Sequence, residues 1–339
     1  MAGSDGFYLT LPSDGSMETF PQNTVAQFKT LLPQTVDLTD GEWQMGLTEM
    51  MYGSSVKNIL ANESYFDILI TQNFKAFVDD PDIFKINRFQ MKEMNTTRLS
   101  KLDPLVDWKY SYLARDERAA RRKVKIEEIK NKRVTIFRIQ FRSGPYVHPK
   151  ALISEINEGL SLSLKRIWET MGHPEQKSNM KLVYYENFDR IEYQYNGELL
   201  RTKNPFSVRF PVSLALKMGF GTKAFNTNDE SMTKWINVTY LAPNTIDLYE
   251  NLKQMYVYCD VVEPQMVGSN ALKLLRVVPV THSTHDQMQA KWEPVRAEYL
   301  KLSKKHFDTI EIQIRTPLGT VMPFISGKSI LKLHFKKLY

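Results

Sequence analysis

Polar and apolar residues alternate most regularly near the end of the chain. Asp308-Thr309-Ile310-Glu311-Ile312-Gln313-Ile314-Arg315 and Ser329-Ile330-Leu331-Lys332-Leu333-His334-Phe335-Lys336 both do so, with Pro317-Leu318-Gly319 between them. Period-two alternation predicts strands with one packed and one wet face. Two denser β-type runs precede them, Met255 to Val262 and Leu272 to Val280. The breakers Glu263-Pro264 and Gly268-Ser269-Asn270 separate these runs. The carboxy-terminal third therefore reads as an antiparallel β-sandwich.

The first third repeats this grammar. Phe7–Leu11 predicts a short strand, with a turn at Pro12-Ser13-Asp14-Gly15-Ser16. Asn23–Leu32 and Glu42–Tyr52 predict longer strands, and Tyr65–Ile70 and Phe84–Phe89 shorter ones. The middle differs. Ala114–Arg133 is rich in strong helix formers and reads as a helix. Val134–Phe141 reads as a strand. In Pro149–Met171 the residues Leu152, Ile153, Ile156, Leu160, Leu164, Ile167 and Trp168 follow three-four spacing, so a helix is expected, stopped by Gly172 and Pro174. A hairpin is expected from Met180–Tyr185 and Arg190–Tyr195. After it come strand-like Ser207–Phe210, a short helix Val212–Met218 ended by Gly219, and strand-like Trp235–Tyr240.

These elements suggest one sandwich built from residues 1–100 and 235–339, with an α+β insertion at 101–234 that contains two helices. Consecutive domains are the competing layout. The chain's 339 residues suffice for one large or two ordinary domains.

Composition changes this picture little. Hydrophobic residues make up 42% and charged ones 24%, an ordinary globular balance. No run approaches the roughly 18 apolar residues of a membrane helix. Met1-Ala2-Gly3-Ser4-Asp5-Gly6 has neither a basic head nor an apolar core, so no secretory signal is expected. Cys259 is the single cysteine, which excludes an intrachain disulfide and suggests synthesis in a reducing compartment. Asn62, Asn95 and Asn237 stand in glycosylation-type triplets, a chance pattern without a secretory route.

No catalytic constellation emerges. His282 and His285 lack a third metal ligand. Gly219-Phe220-Gly221 lacks the Lys-Ser/Thr of a phosphate loop. Asp79-Asp80-Pro81-Asp82 lacks calcium-loop spacing. No serine sits in a nucleophile elbow. Cys259 lies in an apolar run and reads as a small buried hydrophobe. No enzyme activity and no cofactor are expected. The formal net charge is +7, and Arg115 to Arg133 holds nine Lys/Arg against four acids. Within it Arg115, Arg118, Arg121, Arg122, Lys123 and Lys125 are candidate nucleic-acid contacts. Glu127 and Glu128 can pair with basic neighbours, which favours a solvated helix face.

Several blocks taken together resemble a known family. They are Phe7–Ser16 leading to Phe20-Pro21-Gln22-Asn23-Thr24, then Leu32–Leu38 with Gly41–Glu49, then Leu214–Phe220. The series continues with Tyr256–Gly268, Leu274–Pro279, Phe307–Ile312, Pro323-Phe324 and Leu331–Phe335. It resembles the minor capsid, or penton, proteins of Polinton (Maverick) elements and the related adintoviruses. The resemblance runs from Phe7 to Phe335 and is weakest over Lys101–Val147. It implies a jelly-roll β-sandwich that assembles as a homopentamer at capsid vertices, beside a larger major capsid protein. It also implies a place in the virion after synthesis in the host cytoplasm, with assembly there or in the nucleus. A chain of this length is short for two complete jelly rolls, which favours the penton over the major capsid subunit.

A subunit interface needs apolar material. The chain offers 15 Met, 16 Tyr and 18 Phe. Met266, Val267, Met322 and Phe324 fall in loop-like segments and are candidate interface residues. Capping of the sandwich's own core is the alternative fate of each.

Overall fold

The computed structural model describes residues 6–70, 85–86, 89–98, 133–170, 180–195, 206–221, 225–226, 229–233, 236, 239–281 and 289–338. The chain divides into two compact units. One comprises Met1–Asn58 with Tyr249–Tyr339, and the other Ile59–Leu248.

The first unit carries eight main strands. In chain order they are β1 (Gly6–Pro12), β2 (Gln27–Asp37), β3 (Glu42–Gly53), β4 (Gln254–Cys259), β5 (Leu274–Pro279), β6 (Gln289–Trp292), β7 (His306–Arg315) and β8 (Ile330–Leu338). One sheet has the order β1-β8-β3-β6 and the other β5-β4-β7-β2. Strand one thus lies beside eight, two beside seven, three beside six and four beside five, all antiparallel. That nested pairing is one long hairpin wrapped on itself, the wrapping of a jelly roll. The fold is mainly β, as the alternation predicts.

The pattern in β7 shows why the strands settle this way. Ile310, Ile312 and Ile314 are fully buried, while Glu311, Gln313 and Arg315 face outward. Met45, Leu47, Met50, Met255, Val257, Leu331, Leu333 and Phe335 complete the core from the other strands. Each such side chain contributes about 1.5–3 kcal/mol on burial.

Two departures from the expected strands have local causes. The strand expected from Asn23 begins at Gln27. Asn23 bonds both backbone groups of Lys29 at 2.9 Å, and the Thr24 hydroxyl accepts the Gln27 N–H at 3.0 Å, which holds the preceding residues as a turn. The strand then runs past Pro33, because it lies at a sheet edge and its register shifts between Leu31 and Val36.

In the second unit Tyr65–Ile70 is hydrogen-bonded to Arg133–Gln140 on one side and Phe206–Arg209 on the other. Its ladder therefore belongs to the inserted unit. The chain divides at 58/59 and 248/249, beside the 100/101 and 234/235 read from the sequence. Helix α1 (Pro149–Thr170) buries Leu152, Ile153, Ile156, Leu160, Leu164 and Ile167, the expected stripe, and packs on Met180–Tyr185 of the expected hairpin. Helix α2 (Val212–Lys217) ends in a Schellman motif, in which Phe220 N–H donates to Ala215 O and Gly219 N–H to Leu216 O, both at 2.9 Å. Gly219 sits at φ +83°, and a Cβ there would lie 2.3 Å from the Asn244 carbonyl oxygen. No other residue type fits that turn. Trp235–Tyr240 contributes an isolated bridge at Ile236 and the short strand Tyr240–Leu241.

The buried charges of this unit are matched. Asp67 is fully buried and accepts from Arg138 at 2.8 and 3.1 Å and from Arg209 at 2.9 and 3.0 Å. Lys217 pairs with Glu63, which also accepts the Leu60 N–H at 2.9 Å. The expected helix Ala114–Arg133 lies outside the described residues, Arg133 excepted. No helix among the described residues is long and apolar enough to cross a membrane.

Candidate functional site

The outward face of β4 and β7 carries an organised polar surface. The alternation that buries the β7 isoleucines turns Glu311, Gln313 and Arg315 to this face. Lys29 of neighbouring β2 pairs with Glu311 at 3.0 Å. Gln313 donates to Glu311 at 2.7 Å, and Arg315 donates twice to Gln313, at 3.1 and 2.9 Å. Arg315 also donates to the Gly319 carbonyl at 2.7 Å. Burial alone would raise the Glu311 pKa, but hydrogen bonds from Gln313 and Lys29 outweigh it and hold the carboxyl below its ordinary range. Tyr258 stands in the same area, its phenol pushed up by burial against the pull of Arg315.

Beside this row, Asp260 accepts the Glu311 N–H at 2.8 Å and pairs with Lys304. Lys273 donates to the Asp260 carbonyl oxygen at 2.7 Å and to the Ser303 hydroxyl at 2.9 Å. Tyr258, Asp260, Lys273, Glu311, Gln313 and Arg315 line an open groove of about 490 Å3, bounded by Leu272 at one place and Gly319 at another.

Two loops frame the surface. Gln265–Val267 and Asn270–Leu272 form a small hairpin where the breakers Pro264, Gly268 and Asn270 predict only a turn. Gly268 sits at φ +60° in the first central position, where a II′ turn takes glycine. The hairpin exposes Met266 (78%) and Leu272, with Val267 half-buried. The second loop follows β7. Thr316 and Thr320 pair through their hydroxyls at 2.8 Å, and Leu318 is left 69% exposed at the tip.

The four sequence-derived interface candidates thus separate. Met266 is open and Val267 half-open. Met322 is 2% exposed and belongs to the sandwich's own core, because its N–H bonds Ile314 O and draws it inward. Phe324 is half-buried against that core, with its ring 6.3 Å from Tyr52. Met322 consequently has almost no surface to offer a neighbour.

A third surface feature is the turn between β1 and β2. Ser13 exchanges hydrogen bonds with Ser329, Ser16 accepts the Leu31 N–H at 3.0 Å, and Asp14 pairs with Lys328 at 3.3 Å. This anchored turn presents Met17 (42% exposed) and exposed Glu18. The other sheet bears an aromatic row on its outer face. Tyr8 stacks on His334 at 4.3 Å, and the Tyr299 hydroxyl meets His334 Nδ1 at 2.7 Å.

Cys259 is buried and its thiol is pushed up to about 12, chiefly by burial. It has neither access nor a thiolate, so it fits the structural role read from the sequence. Arg115, Arg118, Arg121, Arg122, Lys123, Lys125, His282, His285 and Asp79–Asp82 lie outside the described residues. Among the described residues no group of three or more His, Cys, Asp or Glu could hold a metal ion.

Two solved structures are similar to this chain along nearly its whole length. The crystal structure of SeMet-labelled mavirus penton protein shares 10% identity at a TM-score of 0.45, covering 98% of this chain and 99% of that one. A chain of the Sputnik virophage, solved by cryo-EM, shares 10% identity at a TM-score of 0.42, with coverage of 99% and 98%. No protein-family model and no curated protein matches the sequence.

Proposed function

We propose that this protein is a capsid subunit, the penton at the vertices of an icosahedral particle encoded by a Polinton-type element. The observation that carries the reading is the nested strand pairing of a jelly roll in a chain whose sequence blocks resemble those minor capsid proteins. A sandwich of this kind satisfies its own core and leaves its faces and loops for association. The organised surface of the molecule is a polar and apolar relief of groove, hairpin and anchored turn, suited to a protein partner. The subunit forms a homopentamer and sits beside the element's major capsid protein in the virion.

The test is size-exclusion chromatography with light scattering, alone and with the major capsid protein. A discrete pentamer is expected, with each contact burying at least about 1,000 Å2. Strict monomers at high concentration, with no binding to that partner, would remove the reading. A salt-sensitive shift with DNA would favour nucleic-acid contact through Arg115–Arg133 instead, for which the support is its charge: nine basic residues against four acids.

A further inference from the structure

The groove beside β4 and β7 has unbalanced charge. Its two carboxylates are matched by lysines, Asp260 by Lys304 and Glu311 by Lys29. Its two cations are not matched by acids. Arg315 donates to Gln313 and the Gly319 carbonyl, and Lys273 to the Asp260 carbonyl and the Ser303 hydroxyl. Neither has a carboxylate partner among the described residues. With Lys29 and Lys304 at its margin, the groove therefore presents a surplus of positive charge beside the exposed Leu272, and exposed Leu318 stands one residue before Gly319 of its lining.

The turn between β1 and β2 has the opposite character. Glu18 is exposed and makes no hydrogen bond or ion pair among the described residues, and Met17 beside it is also exposed. Three anchors, at Ser13, Asp14 and Ser16, hold this turn in place, so little order has to be gained on docking. Knob and groove are different surface patches of one sandwich. Such a pair makes a heterologous contact, which generates a ring when the rotation closes.

We infer that Met17 and Glu18 of one copy dock in the groove of the next copy. The Glu18 carboxylate meets the Arg315 guanidinium, with Lys273 adding to the field, and Met17 lies against Leu272 and Leu318. This contact rests on the assembly reading above and names the surfaces that would carry it. Charge complementarity of this kind fixes register and excludes wrong partners.

The experiment is a charge swap read by sedimentation velocity. Glu18→Arg and Arg315→Glu should each raise the protein concentration at which rings form by about tenfold or more, and the double variant should return it to within about threefold of the parent. Arg315→Gln keeps a donor for Gly319 but loses the charge, and should show an intermediate loss. Thermal melts of the variants report whether each is folded. Single variants that assemble like a ring-forming parent would overturn the contact and leave the assembly reading standing. A parent that stays monomeric and does not bind the major capsid protein overturns the assembly reading, and for any monomeric parent the contact is decided by a synthetic peptide of residues 16–20. Titrated to about 1 mM, that peptide should shift the Arg315 Nε–H resonance of the parent and bind no Arg315→Glu protein. No shift in the parent would overturn the contact.

Discussion

Asn157 clasps both backbone groups of Leu182. Its amide donates to the Leu182 carbonyl at 2.8 Å, and its side-chain oxygen accepts the Leu182 N–H at 2.7 Å. One side chain thus ties helix α1 to the first strand of the hairpin beneath it, at the strand position a neighbouring strand would otherwise fill. Asn157→Leu keeps the volume but orphans two backbone groups. It should destabilise the protein by about 1–3 kcal/mol, measured by urea denaturation. Ile156→Asp, one residue before, puts a carboxylate into a fully buried site and should cost more, leaving the protein insoluble or protease-sensitive. If Ile156→Asp melts like the parent, α1 is not packed as described.

Asp67 is the centre of a buried ion triad with Arg138 and Arg209. Asp67→Asn removes the buried carboxylate that accepts from both guanidinium groups. The expected loss is about 3–5 kcal/mol in chemical denaturation. A simultaneous change of Arg209 to Met should recover part of it, since the remaining pair is then less unbalanced.

Cys259 should resist modification in the folded protein. Its thiol is raised to about 12 by burial, so at pH 8 almost none is ionised. A maleimide or disulfide reagent is expected to label it only after denaturation. Prompt native-state labelling would show that the β4 face opens.

The pKa of His334 is held below the ordinary histidine value, first by burial and then by the charge of Lys336. The unfolded chain therefore binds this proton more readily than the folded one. The stability linked to His334 is present above the unfolded value near 6.5 and is lost as pH falls below it, through the lowered folded value. Melting temperature should drop over that window, and His334→Asn should flatten the drop. An unchanged slope in the variant would assign the acid sensitivity elsewhere.

The strands that could be read from the sequence were those with an independent period. In β7 and β8 strict alternation marked the face as well as the element. α1 was legible for the same reason, with a 3.6-residue stripe and a proline at its first position. β6 was not legible. Its four residues, Gln289-Ala290-Lys291-Trp292, are too few to show a period, and they become a strand through pairing with Met50–Gly53. The hairpin carrying Met266 was read as turn because Pro264, Gly268 and Asn270 dominate its composition. Loop-like composition, the only signal for the interface candidates, does not reveal direction: Met266 points out, and Met322 is drawn in by the Ile314 bond. The groove had no sequence signal, because Tyr258, Lys273 and Arg315 come from separate elements.

The strand order carries a consequence for how the molecule comes to be folded. Among the described residues, every pairing of β1, β2 and β3 is to a segment after residue 288. As the chain leaves the ribosome, these three strands have no partner until nearly all of it has been made, whereas the inserted unit already contains its own ladders. Contacts this distant in sequence are slow to form and leave strand edges exposed meanwhile. The sandwich therefore closes last, when β7 and β8 emerge. The aggregation hazard of this protein lies in that waiting period, when β3 presents twelve residues of unpaired backbone bearing Trp43, Met45, Leu47, Met50, Met51 and Tyr52.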